Sequence, residues 1–267
     1  MRLVVLLMAM LAGVWPALGA LPRPPRPLVA VIDSGVALTP ELAPFLVAEY
    51  DLAADAPRPA FRPRYDHGTM VATILARAAR QPIGIVSLRI DDPAGCAMGK
   101  SPPCQNSAAR VARAIRKATS LGVRAINISL ALEDHPAIVD AVRDAAASGI
   151  LIVLAAGNDG LDHPGNLSMA RAAYPNAVLV GALGNGGQVW SGTNRPGSRR
   201  QDYKYAWQRG VSVPTVGANG LPVFGTGTSI AAPLETARLV AGSAARWRAR
   251  DAAGLSSSSP ATSLRTR

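Results

Sequence analysis

Uninterrupted apolar runs alternate with amphipathic stretches through the middle of this chain. "LVAVIDSG" (Leu28 to Gly35) stays apolar until Asp33, the pattern of a strand buried on both faces rather than on one. The same pattern predicts strands over about Ile83 to Ile90, Val123 to Leu130, the start of "ILIVLAAGNDG" (Ile150 to Gly160), and "AVLVGAL" (Ala177 to Leu183). Helical spacing instead marks His67 to Ala79, where Met70, Val71, Ile74 and Leu75 share a face. Further helices are predicted over Ser107 to Ser120 with Gly122 as a stop, over Pro136 to Ser148 ahead of Gly149, and from Ser229 to about Arg246. The proline-bearing stretch Thr39 to Arg64 reads as loop, and the glycine-, serine- and arginine-rich region after Leu183 as loops and hairpins. Buried strands alternating with helices predict an α/β domain, its mainly parallel central sheet covered by helices on both faces. The functional edge of such a sheet lies beyond the strand C-termini, where Asp33 and Asn158 fall.

The 267 residues, 49% hydrophobic and 17% charged, are enough for one large domain. Residues 1–20 carry Arg2, an apolar run from Leu3 to Val14 and the small residues of "ALGA", which together read as a signal peptide for export to the periplasm or beyond. That run is shorter than a membrane span, so no stable span is expected once the signal is cleaved. Residues 21–27 form a proline-rich lead-in, residues 28–252 the folded domain, and residues 253–267 a disordered tail. In an exported chain the two cysteines, Cys96 and Cys104, are suited to a local disulfide.

A net charge of +11 raises the question of nucleic acid. No zinc-finger spacing, aromatic ribonucleoprotein strand or arginine-packed recognition helix accompanies it, so no specific nucleic-acid partner is expected. A solvated basic surface and a docking patch for an anionic partner both remain open. No metal set is implied by the three separate histidines, and no cofactor is expected. "DDPAG" (Asp91 to Gly95) lacks the spacing of a calcium loop and reads as a surface turn, so a structural calcium is not indicated.

Four polar punctuation marks stand at the ends of these elements. They are Asp33 in "IDSG", His67 in "HGT", Asn158 in "AAGN" and Ser229 in "GTSIAAP". Singly, each reads as readily as a strand-end aspartate, a helix cap, a turn asparagine or another cap. Together they supply a nucleophile, a base, a residue to orient the base and an oxyanion donor. Their order, Asp then His then Ser, is the subtilisin order, and from about residue 28 to 246 the motifs resemble those of the subtilisin-like serine proteases.

That resemblance implies a subtilisin-like three-layer fold and a serine endopeptidase acting on protein or peptide substrates. Asp33, His67 and Ser229 would form the triad, and Asn158 would serve the oxyanion hole. One cleft wall would come from "INISLAL", with Ser129, Leu130 and Ala131 as substrate-binding positions; Asn127 could tie this strand end to a neighbour or act in catalysis. The sequence departs from the family pattern at Met70, Ile230 and Ala131, where a second histidine, a methionine and a glycine are usual. The lead-in is too short to template folding, so the chain is expected to fold alone or with a folding or inhibitory partner replacing a prodomain. Two other readings stay in view: a catalytically weak scaffold that binds peptides or a protein, and an exported basic protein that binds polyanions.

Overall fold

In the computed structural model the described residues are 26–56, 58–98, 103–105, 107–197 and 202–255, with side chains described up to residue 242. The elements run β1 (Leu28–Asp33), β2 (Leu46–Asp51), α1 (His67–Ala78), β3 (Gly84–Arg89), α2 (Ala108–Ser120), β4 (Ala125–Ile128), α3 (Pro136–Ala147), β5 (Leu151–Ala155), α4 (Leu167–Ala172), β6 (Ala177–Leu183), β7 (Lys204–Arg209), β8 (Val213–Val216), β9 (Pro222–Gly225) and α5 (Thr228–Leu255). Seven strands form one sheet in the order β2-β3-β1-β4-β5-β6-β7, and every neighbouring pair is parallel. β8 and β9 form a separate antiparallel hairpin.

Strand β1 shows why the apolar runs are continuous. Val29 and Val31 point to one face and pack with Val71 and Leu75 of α1 and Val240 of α5. Ala30 and Ile32 point to the other and pack with Val111 and Ile115 of α2 and Ile138 of α3. A strand with helices over both faces has no solvent side on which to place polar residues, so the period-two signal vanishes. α2 shows the complementary pattern: Val111, Ala112, Ala114, Ile115 and Ala118 are buried, and the Ser107 side chain caps its first turn by accepting from the Arg110 amide.

From β1 the chain runs to β2 and β3 on one side of that strand and then crosses to β4 on its other side. The C-terminal ends of β1 and β4 therefore flank the point where strand order reverses, the place where open parallel sheets leave a crevice. Asp33 ends β1, and Ser129 follows the last residue of β4.

Four features differ from the sequence expectations. Residues 39–64 are not all loop, because β2 adds an edge strand paired with β3; it is only partly buried, which removes the long apolar run that revealed the other strands. β7 joins the main sheet in parallel beside β6 rather than forming a hairpin. Its Tyr205 and Trp207 rings lie over Gly181, where a Cβ would collide with both. α5 continues to Leu255, so the expected tail begins inside a helix. Asp91, expected in a surface turn, is buried and paired with Arg58 and Arg89, leaving Asp92 to make the turn by accepting from Ala94. The Cys96–Cys104 disulfide is formed. The signal segment, most of the proline-rich lead-in and the last twelve residues of the expected tail lie outside the described residues.

Candidate active site

Asp33 is fully buried at the end of β1. Its Oδ1 accepts the Ser34 amide at 2.7 Å, and both carboxylate oxygens face His67 Nδ1, at 2.9 and 3.0 Å. His67 is the first residue of α1, and the following glycine is what lets it come so close. A Cβ at Gly68 would run into the carbonyl oxygen of Gly35, so any other residue would push α1 away from the end of β1. The Gly68 amide also donates to Ser34 Oγ at 3.2 Å. The imidazole keeps 22% of its side-chain surface exposed while its Nδ1 edge is sealed against the aspartate.

Burial presses the His67 pKa downward, but the charge of Asp33 and its hydrogen bond outweigh this and leave it above the ordinary 6.5. An Nδ1–H held by a buried carboxylate leaves Nε2 as the basic nitrogen of the neutral ring.

On the other side of the crevice, Ser229 stands in the first turn of α5 with only 9% of its surface exposed. No hydrogen bond joins its hydroxyl to the His67 imidazole among the described residues; such contacts are often long or poorly aligned until a substrate is bound. The turn before it is fixed by Asn158. Asn158 Oδ1 accepts from both the amide and the hydroxyl of Thr228, each at 2.9 Å, and Thr228 Oγ1 in turn accepts the Gly157 amide at 3.0 Å. With its oxygen so engaged, Asn158 has its NH₂ left as a donor. Gly227, with φ of +145°, borders both side chains: a Cβ there would stand 3.1 Å from Asn158 Nδ2, 3.4 Å from Asn158 Oδ1 and 3.3 Å from Ser229 Oγ, so that the gap beside it stays open. Glycine is thus required at 227 both by its backbone conformation and to keep that gap open. The Ser229 N–H belongs to a helix first turn, where amides have no intrahelical acceptor and the helix dipole favours negative charge.

A serine hydroxyl, a carboxylate-oriented imidazole and two N–H groups around a small gap form a set able to perform acyl transfer. A model of the subtilase family matches residues 26–264. The chain belongs to the subtilase family. Among its relatives, alkaline elastase YaB from Bacillus sp. (strain YaB) is 30% identical over 219 residues, covering 77% of this chain and 51% of the relative. An alkaline protease of Alkalihalobacillus alcalophilus is 29% identical over 160 residues, 58% of this chain and 38% of the relative. The chain therefore spans about half or less of the length of these two relatives. Among solved structures, Sphericase is 26% identical with a TM-score of 0.64, and the S41 psychrophilic protease 25% identical with a TM-score of 0.65. Each alignment covers 80% of this chain and 75% of the other.

Two residues at which this subtilase departs from the family pattern turn out to be neighbours. Met70 packs against Ile230 in a small cluster with Ile74 and Val213, so the two apolar choices are made to each other. The third, Ala131, is exposed beyond the end of β4, and its carbonyl accepts from Gln105 Nε2 in the disulfide-bearing loop at 2.6 Å. Ser129 and Leu130 have buried side chains, so a peptide lying along this wall would meet backbone there. Asn127 is fully buried: its amide donates to Ser129 Oγ and its oxygen accepts from Thr236 of α5. Its functional groups are spent inside the protein. Sequence reasoning passed over Thr228 and Thr236, and only the position of Thr228 beside the nucleophile could have drawn attention to it.

Proposed function

We propose that this subtilase is an exported serine endopeptidase. Ser229 attacks the scissile carbonyl while His67 Nε2 takes its proton, and Asp33 holds Nδ1–H and stabilises the imidazolium that results. The tetrahedral oxyanion is met by Asn158 Nδ2–H and the Ser229 amide, in the gap that Gly227 leaves free. His67 then protonates the leaving amine, and water, deprotonated by the same imidazole, releases the acyl group from Ser229. The substrate lies extended along Ser129, Leu130 and Ala131 as an added strand, displacing the Gln105 side-chain amide from the Ala131 carbonyl. The observation that carries this reading is the buried Asp33–His67 pair, together with the Asn158–Thr228 bonds that fix the turn before Ser229. Export is supported by the N-terminal sequence and by a disulfide of the kind that persists in oxidising compartments.

The test is reaction of the purified chain with an alkyl fluorophosphonate, followed by peptide mass mapping, alongside cleavage of denatured casein. The adduct should fall on Ser229, and both Ser229→Ala and His67→Ala should abolish nearly all labelling and turnover while leaving the circular dichroism unchanged. Casein cleavage by Ser229→Ala at the native rate would sink the assignment; a native chain that neither labels nor cleaves would favour a binding scaffold.

A further inference from the structure

We propose that Ser129 is a positioning residue that holds the backbone of the nucleophile in place, and that it does so because Pro233 leaves that backbone without its helical partner. The inference rests on the reading of Ser229 as the nucleophile and concerns what fixes that residue. In an α-helix the carbonyl of residue 229 would accept the amide hydrogen of residue 233. Residue 233 is Pro233, inside α5, and a proline has no such hydrogen. The Ser229 carbonyl is taken up instead by the Ser129 hydroxyl, which donates to it at 2.8 Å from the end of β4.

The donor is itself held from behind. Asn127 Nδ2 donates to Ser129 Oγ at 2.9 Å, which turns the serine hydrogen outward to Ser229, and Asn127 Oδ1 accepts from Thr236 Oγ1 at 2.8 Å. Ser129, Asn127 and Thr236 expose 2%, 0% and 0% of their surface, so water does not compete for these groups. The chain of bonds begins and ends on α5, at Ser229 and at Thr236, with the central sheet as its anchor. Residues 125, 127 and 129 alternate onto the face of the sheet that α5 covers, which is why polar side chains at 127 and 129 meet the helix and not the opposite core. Losing the Ser129 hydroxyl would remove the donor that stands in for the missing Pro233 amide and free the first turn of α5 to shift, moving Oγ relative to His67 and the Asn158 amide.

The experiment measures fluorophosphonate inactivation of the purified full chain, separating the maximal rate kinact from the half-saturating concentration KI, with values normalised to titratable Ser229. Ser129→Ala should lower kinact by roughly ten- to a hundred-fold, the size of loss that about 1 Å of misplacement brings, with KI within about twofold. Adding Pro233→Ala to that variant returns an amide hydrogen to the Ser229 carbonyl and should recover most of the loss, a response that a general packing defect at residue 129 would not give. Thr236→Val, at the far end of the chain of bonds, should lower kinact by a smaller factor. A Ser129→Ala variant with native kinact, a defect confined to KI, or a double variant no faster than Ser129→Ala would each overturn the inference while leaving Ser229 as the nucleophile. A native chain that is never labelled at Ser229 would overturn both readings.

Discussion

At Asn158 the side-chain oxygen is consumed by Thr228, which leaves the NH₂ as the donor proposed for the oxyanion, and that proposal makes a quantitative prediction. Asn158→Ala should cost about 2.7–4 kcal/mol of transition-state stabilisation, seen in kcat rather than KM, because the donor meets charge that exists only in the tetrahedral state. A kcat within twofold of native would remove Asn158 from that role. His67 gives a second prediction. Burial lowers its pKa, Asp33 raises it by more, and the net position is above 6.5. The base must be neutral, so kcat/KM should rise with pH through an inflection above 6.5. Asp33→Asn removes the raising influence and leaves burial, so NMR titration of His67 in that variant should show an inflection below 6.5. The effect on folding has the opposite sign: the stability gained by protonated His67 is fully present below its unfolded pKa and is lost as pH rises through the folded value. Activity thus appears over the range in which that contribution to stability disappears.

At the scale of elements, the loop between β2 and α1 is fastened by charge. Arg58 bonds to Asp51 at 2.5 Å and to the fully buried Asp91 side chain at 3.0 Å, while Arg89 holds the other side of Asp91 at 2.8 Å. Removing Arg58 would leave the buried Asp91 with Arg89 alone and the partly buried Asp51 with the Ala53 and Ala54 amides, a change expected to cost about 1–3 kcal/mol, measurable as a lowered denaturation midpoint for Arg58→Ala. Burial raises the Asp51 pKa, but the Arg58 hydrogen bond, the Ala53 amide and the nearby guanidinium charges together bring it below 3.8. Its stabilising contribution is therefore present above about pH 3.8 and lost as pH falls through the folded value. Elements that bury themselves completely were legible in the sequence, as β1, β3, β4 and β6 were, because burial writes an apolar run. β2 and β7 were not, since edge strands are only partly buried and their charged residues resemble loop. Asp33, His67, Asn158 and Ser229 were legible as letters in order. The Ser129–Asn127–Thr236 connection was not, because no local pattern says that a serine at the end of β4 will answer for a proline in α5.

Over the whole molecule, the reversal of strand order beside β1 gathers side chains from distant parts of the sequence at one crevice. β1 is an interior strand of the sheet, yet both its neighbours, β3 and β4, come later in the chain. Central parallel strands that wait for distant partners tend to make folding slow. During synthesis, the acid Asp33 and the base His67 emerge early, but Ser229 belongs to the last helix, and its carbonyl is gripped by Ser129 only when that helix docks. A ribosome-bound chain that has reached β6 already carries Asp33 and His67 and does not yet carry Ser229. The order of the elements thus acts as a timer: the serine proposed as nucleophile reaches the crevice only after nearly all the other described elements have been made.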